Sequence, residues 1–333
     1  MKTALITGIT GQAGAYLSRN LLEHGLSVIG TTRDIRVSHL DGLKYVDSAD
    51  AVKLYTLKLE DFRAVLDLID ELRPDEIYHL ASPSSVARSF QEPVETTSSI
   101  VNGTVHLLEA IRRVDKNIRF FNAASTEMFG DCEKPADIQT PPDPHSPYGV
   151  AKSAAFLQTR NYRDAYGLYA CSGVMANFES PLRPVNFVTR KIVSTACRIA
   201  AGEDVKLRLG NTSIRRDWGW AEEYVEAAWL MLQQEQPIDF VIATGEHHSL
   251  NDFLDFAFQS VAMDYRDHVR VDGSLFRLHE IKLSVGDPRA ARERLGWEAR
   301  LRLPDIVKCM VDAELGRMDW CPWRISIQAA MGS

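Results

Sequence analysis

An α/β fold built on a doubly wound parallel sheet, with a smaller and mainly C-terminal α/β part, is predicted by three observations. Short unbroken apolar runs alternate with helix-length amphipathic stretches through the first half of the chain. Such runs, without in–out alternation, mark parallel strands covered on both faces. Glycines three apart, Gly8, Gly11 and Gly14, stand at the first strand-to-helix junction. The length of 333 residues exceeds the roughly 150 residues of one ordinary domain.

The elements follow in order. Residues 3–7 (TALIT) form a buried strand, and 14–23 (GAYLSRNLLE) a helix stopped by Gly25. Further strands fall at 26–31, 52–56, 76–81, 119–123 and 169–174. Helical patterns span 97–113 and 149–166, after which Pro181 and Pro184 interrupt the pattern. Residues 239–243 (DFVIA) are another strand. The end is expected to be mainly helical, with starts at Asp287-Pro288 and at Pro304.

Composition excludes several classes. With 45% hydrophobic and 25% charged residues the chain is neither disordered, collagenous nor a disulfide miniprotein. Its net charge of −7 argues against a nucleic-acid binder, which carries a basic face, yet allows a local basic pocket. Cys132, Cys171, Cys197, Cys309 and Cys321 form no C-x-x-C pair, as expected in a reducing cytoplasm. No signal-peptide pattern and no apolar run of about 20 residues is present, so no membrane partner is expected.

The strand TALIT enters Gly8-Ile9-Thr10-Gly11-Gln12-Ala13-Gly14 and a helix follows at once. This is the Rossmann-type phosphate cradle: backbone N–H groups approach a pyrophosphate, and the helix N-terminus adds positive potential. At the end of the second strand an acid would bind a ribose 2′-hydroxyl and an arginine a 2′-phosphate. Arg33, Asp34 and Arg36 offer both, so NADP and NAD stay open, with a lean to NADP.

Tyr148 and Lys152 form Tyr-x-x-x-Lys on one face of a helix. An ammonium beside a phenol favours the phenolate, which can take a hydroxyl proton as hydride leaves for a nicotinamide. Ser125-Thr126-Glu127 follows the strand RFFNAA, where a doubly wound sheet binds its ligands. A hydroxyl there can bond the reacting oxygen, and a carboxylate can act as base on a carbon acid.

With these residues in view, the sequence resembles the extended short-chain dehydrogenase/reductase superfamily and, within it, the GDP-mannose 4,6-dehydratase family. The resemblance runs over nearly the whole chain. It is carried by Gly8 to Gln12, by Ser146-Pro147-Tyr148-Gly149, and by the blocks NFESP at 177–181 and NFVTRKI at 186–192. RDWG at 216–219, YVEAAWLMLQ at 224–233, IATGE at 242–246 and Leu295-Gly296-Trp297 also match.

The resemblance implies a redox-neutral dehydration of a GDP-linked sugar with tightly held NADP. Tyr148, helped by Lys152 and Ser125, would deprotonate the C4 hydroxyl. Glu127 would then take the C5 proton and assist loss of the C6 hydroxyl. Cofactor contacts would fall on Gly8, Thr10, Gly11, Gln12, Gly14, Arg33, Leu59, Leu80, Tyr148 and Lys152. Substrate contacts would fall on Ser84, Asn177, Lys191, Arg216 and Arg277, the guanidinium groups suiting diphosphate or guanine. A homodimer or homotetramer is implied.

Departures from the family pattern bear on cofactor and sugar. Ala13 stands where the family usually has Asp, Phe178 where it has His, and Leu182-Arg183 where it has two arginines. The stretch 31–43 is short and poor in arginine, and Ser82-Pro83-Ser84 replaces Ala-Gln-Ser. GDP-mannose and a GDP-manno-heptose therefore both remain open. Competing readings are a GDP-4-keto-6-deoxy-sugar reductase or a C4 epimerase on the same fold, and a non-catalytic NADP-sensing regulator. Glu127 separates the dehydratase from the first two, and the intact Tyr148–Lys152 pair from the third.

A dinucleotide domain is expected over residues 1–177 and about 212–247, and a nucleotide-sugar domain over about 178–211 and 248–333. His247-His248 sits poorly for chelation, because neighbours on a strand point to opposite faces, so no metal is expected. Trp218 and Trp220 are expected to pack. The segment Trp320 to Trp323 (WCPW) receives no reading.

Overall fold

The computed structural model describes residues 1–36 and 39–317. Six strands follow one another in parallel through the first half: β1 (Thr3–Thr7), β2 (Ser27–Thr32), β3 (Lys53–Thr56), β4 (Glu76–His79), β5 (Arg119–Ser125) and β6 (Ala170–Met175). A seventh, Phe240–Ile242, joins β6 in parallel, so the sheet reads Phe240–Ile242, β6, β5, β4, β1, β2, β3. The apolar runs are explained by alternate burial on opposite faces. Leu5, Ile77 and Phe120 enter one core, while Ile6, Tyr78 and Phe121 enter the other. Helices α1 (Gln12–Glu23) and Ala221–Gln233 cover the second of these faces. Phe62–Leu72 and Gly103–Val114 cover the first.

Beyond β6 short strands carry the chain away from the sheet. These are β7 (Asn177–Glu179), β8 (Leu207–Leu209), β9 (Arg215–Arg216) and β10 (Trp218–Trp220), with β7 and β10 paired in parallel. A separate core gathers Val188–Ala200, Leu250–Gln259 and Leu303–Glu314 around Trp218 and Trp220. Both tryptophans are buried, and Trp218 meets Phe253 edge-on at 5.6 Å. Asp217 ties this region back to the large sheet. It accepts from Thr244 N–H at 3.0 Å, Thr244 Oγ1 at 2.7 Å and Gly245 N–H at 3.0 Å.

Two helical expectations need correction. The pattern over 97–113 is broken into Pro93–Thr97, a π turn at Ser98–Asn102 and the helix from Gly103. Proline at the first helical position starts the piece at residue 93. The expected mainly helical end is helical only in part. Between Gln259 and Leu303 lie Val269–Val271, Leu283–Ser284 and short turns, and the start at Asp287-Pro288 leads into a π turn ended by Gly296 at φ 71°. Trp320 to Trp323 lie outside the described residues. Among the described residues no helix is long and apolar enough to cross a membrane.

Candidate functional site

The chain leaves β1 for β2 on one side, and β4 adds on the other, so the carboxyl ends of β1 and β4 flank a crevice. A cavity of about 660 Å³ opens there. It is lined by all the catalytic, cofactor and substrate contacts that the resemblance implies: the glycine turn with Thr10 and Gln12, Arg33, Leu59 and Leu80, then Ser125, Glu127, Tyr148 and Lys152, and finally Ser84, Asn177, Lys191, Arg216 and Arg277.

At one end Gly8 takes φ 73°, and a Cβ there would meet Ala81 Cα at 2.7 Å. Only glycine satisfies both the backbone and the packing. Gly11 caps α1 with no side chain, and the helix carries no acid in its first turn. The helix N-terminus therefore faces the cavity with its positive end unopposed, which suits a phosphate. A dinucleotide pyrophosphate fits this cradle. The Gln12 side chain lines the cavity and also crosses to the segment that follows β7. Its Nε2 donates to Phe178 O at 3.1 Å and its Oε1 accepts from Ser180 Oγ at 2.7 Å. Arg33 reaches the wall of the cavity and pairs with Glu95 at 3.4 Å. Arg36 is paired with Asp34 instead, at 2.9 Å.

At the centre β5 delivers Ser125 at its last residue, and a turn over Thr126–Met128 points Glu127 inward. Helix Pro147–Tyr166 begins beside it, capped by Ser146 Oγ, which accepts from Gly149 N–H at 3.0 Å. A Cβ at Gly149 would lie 2.7 Å from Glu127 O, so glycine lets the helix start close enough to seat Tyr148 against Ser125 and Glu127. Lys152 is buried and donates to Ala123 O at 2.6 Å, with its Nζ 5.7 Å from the Tyr148 ring centre.

The electrostatics differ from the sequence expectation. Burial pushes the Tyr148 phenol up to about 12; the Ser125 hydrogen bond and Arg183 work downward, and the Glu127 charge works upward. Burial also brings Lys152 down to about 8. The ammonium is spent on a carbonyl rather than on the phenol oxygen, so desolvation wins. His79, held by Thr7 Oγ1 at 2.8 Å, is pushed down to about 3 by burial and then by Lys152.

At the far end Arg216 is 4% exposed. Its Nε lies 4.0 Å from Glu127 Oε1, and its Nη2 3.4 Å from Glu280 Oε1. Arg277 meets the same Glu280 oxygen at 3.2 Å. Lys191 Nζ donates to Arg208 O at 2.7 Å. Sequence reasoning missed Glu280, took Glu179 only as part of NFESP, and named Arg183 only as a departure from the family pattern. Glu280 sits in an irregular stretch with no motif. Glu179 is buried, accepting from Thr189 Oγ1 at 2.8 Å and facing Arg183 Nε at 3.3 Å. The signal for these two was the NFESPLR run itself. Of the histidine pair, His247 Nδ1 accepts from Arg215 Nε at 2.9 Å, and His248 lies 3.7 Å from Glu246.

This sheet order, with a glycine turn at its switch point and Tyr148 one helical turn before Lys152, places the chain in the extended short-chain dehydrogenase/reductase class. Solved structures agree in fold. The dTDP-glucose 4,6-dehydratase DesIV of Streptomyces venezuelae, with NAD bound, superposes with a TM-score of 0.85 at 20% identity, over 96% of this chain and 99% of its own. The UDP-glucose 4-epimerase of Thermus thermophilus in complex with NAD gives 0.83 at 24% identity, over 94% and 99%. Residues 5–310 match the family model for GDP-mannose 4,6 dehydratase, and the chain belongs to that family. It is 44% identical over 328 residues to GDP-mannose 4,6 dehydratase 1 of Arabidopsis thaliana, covering 94% of this chain and 90% of the relative. It is 39% identical over 350 residues to the Vibrio cholerae GDP-mannose 4,6-dehydratase, covering 94% of each.

Proposed function

We propose that this protein dehydrates GDP-mannose, or a GDP-manno-heptose, to the GDP-4-keto-6-deoxy sugar, with NADP as the resident dinucleotide. The observation that carries the reading is the position of Glu127. Its carboxylate stands in the same cavity as Ser125, Tyr148 and Lys152 and faces a buried Arg216. A C4 epimerase or a 4-keto-sugar reductase has no need of a base there.

When bound, the dinucleotide would supply the hydride acceptor for C4, the hydride donor for C6, and a positive charge that favours the phenolate. Tyr148 takes the C4 hydroxyl proton, and Ser125, hydrogen-bonded to the phenol, helps hold that oxygen. The C4 ketone acidifies C5. Glu127 removes the C5 proton and passes it to the departing C6 hydroxyl, which leaves as water; as C6 gains hydride, C5 takes up a proton, in sum the one that Tyr148 accepted from the C4 hydroxyl. Arg216, with its Nε 4.0 Å from Glu127 Oε1, helps aim that carboxylate. Arg216 and Arg277 together offer the charge that a diphosphate requires. Glu280 holds the two guanidinium groups in place.

The preference for NADP rests on Arg33 at the cavity wall, with Asp34 occupied by Arg36. NAD is the alternative, because Glu95 partly satisfies Arg33. We assign the dinucleotide to residues 1–177 and about 212–247, and the sugar nucleotide to the remainder. The cores support this division in part: residues 221–243 pack in the sheet core and 188–199 in the second, while Ile214, Trp218 and Trp220 join the second core and Ala291, Leu295, Trp297 and Ala299 the first. A cytoplasmic homodimer or homotetramer completes the proposal.

The test is direct. The protein is incubated with GDP-mannose and with GDP-manno-heptose, without reductant, and the products are weighed by mass spectrometry. Loss of one water from either supports the reading. No loss from either, with reduction of a 4-keto sugar on adding NADPH, overturns it in favour of a reductase.

A further inference from the structure

We infer that Gln12 is a positioning residue that locks the sugar-nucleotide segment 177–183 onto the dinucleotide loop. The inference rests on the functional reading above. It starts from the two ends of one buried amide. Gln12 is 8% exposed and is the first residue of α1, next to the helix N-terminus that faces the cavity. Its backbone belongs to the phosphate cradle, but its side chain crosses to the other half of the site. The amide N–H donates to Phe178 O at 3.1 Å, and the amide oxygen accepts from Ser180 Oγ at 2.7 Å.

Ser180 is fully buried, and its Oγ also accepts from Leu182 N–H at 3.1 Å. The turn 178–182 is thus pinned at three places through one hydroxyl and one amide. Glu179, between the two anchors, holds Thr189 and Arg183. Asn177 precedes them on β7, and β7 pairs with β10, which follows Arg216. Every group in this run that lines the far half of the cavity therefore takes its position from the contact to Gln12.

The chemistry demands an amide. A glutamate would lose the donor to Phe178 O and set a carboxylate against a carbonyl. An apolar side chain would take this donor from Phe178 O and leave the buried Ser180 hydroxyl without its acceptor, a costly state. The contact at 178 is made by the main chain, so Phe178 leaves it intact.

The experiment compares Gln12→Ala, Ser180→Ala and the double variant in the full chain. Dinucleotide affinity is read by quenching of intrinsic fluorescence, and KM and kcat by water loss from GDP-mannose. Each single variant is expected to raise KM by about tenfold, as for one lost buried hydrogen bond, while the dinucleotide Kd stays within about twofold. The double variant should be worse than either single but clearly less than additive, because both singles break the shared Gln12–Ser180 bond while Gln12 also holds Phe178 O and Ser180 also holds Leu182 N–H. Gln12→Glu should resemble Gln12→Ala rather than wild type. Loss of dinucleotide affinity equal to the loss in KM, or additive effects of the two singles, overturns the inference. Absence of turnover in the wild type with every GDP-sugar overturns the functional reading instead. GDP titrations of the same variants then still report whether the segment is pinned.

Discussion

Replacing Glu127 with glutamine removes one charge and leaves the volume of the site unchanged. At 4.0 Å from Arg216 Nε, the carboxylate contributes an attraction of about 4 kcal/mol at an effective dielectric near 20. Arg216 does not collapse when that charge goes, because Glu280 holds it from the other side at 3.4 Å. Substrate affinity should therefore change little. The Glu127 N–H bond to Ser125 Oγ, 3.3 Å, belongs to the backbone and survives. The Glu127 charge also raises the Tyr148 phenol, so its removal makes that phenol easier to ionise. Oxidation at C4 is then unharmed or faster, while proton removal at C5 loses its base. General bases contribute roughly 100- to 10,000-fold, or about 3–5 kcal/mol of barrier. The variant should accumulate reduced dinucleotide and 4-keto hexose on mixing with GDP-mannose, followed by stopped-flow absorbance. Water loss, followed by mass spectrometry, should fall by that factor. Dehydration at near wild-type rate, or failure to reduce the dinucleotide, would refute the assignment of Glu127 as the C5 base.

Three further outcomes follow from the same geometry. Tyr148→Phe should abolish reduction of the bound dinucleotide in single-turnover absorbance; retention of that step moves the acid–base role to another group. Arg33→Ala should weaken NADP by about tenfold, the scale of a charged hydrogen bond, and NAD far less, measured by equilibrium titration. Equal losses would show that Arg33 does not meet the 2′-phosphate. Glu223 is a structural test. Burial pushes its carboxyl up to about 7, against the downward pull of Arg300 and Leu301 N–H groups, which reach its Oε1 at 3.0 and 3.2 Å. A raised acid gives stability below its unfolded value near 4.5 that is lost as pH rises through about 7. Glu223→Gln should therefore stabilise the protein by up to about 3 kcal/mol above pH 7, with the gain vanishing near pH 4.5, as followed by denaturant melts. A gain independent of pH would place the proton elsewhere.

Local signals made much of this molecule legible. The strands of the large sheet follow from unbroken apolar runs, because burial on both faces leaves no polar positions. The glycine turn and the Tyr148–Lys152 spacing are local geometry, so they could be read without a neighbour. Helix interruption at residues 98–102 was not visible, since nothing in SSIVN breaks a helical period. The irregular stretch that carries Arg277 and Glu280 had no period to read at all.

By itself the chain's sequence determined the order of strands and helices, the position of the phosphate cradle, and which side chains could carry chemistry. The tertiary structure decided how those side chains are charged and paired. The ammonium of Lys152 was expected to ease the ionisation of Tyr148, yet it is aimed at Ala123 O, and burial lifts the phenol to about 12. Gln12 was expected to serve the cofactor, and the fold adds a second set of partners, since its side chain also holds Phe178 and Ser180, more than 160 residues away. Glu280 was not expected at all, and it joins Arg216 to Arg277. Spacing along a chain reports which groups share an element. Desolvation and hydrogen-bond partnership depend on distances across the fold, and only the packed structure sets those.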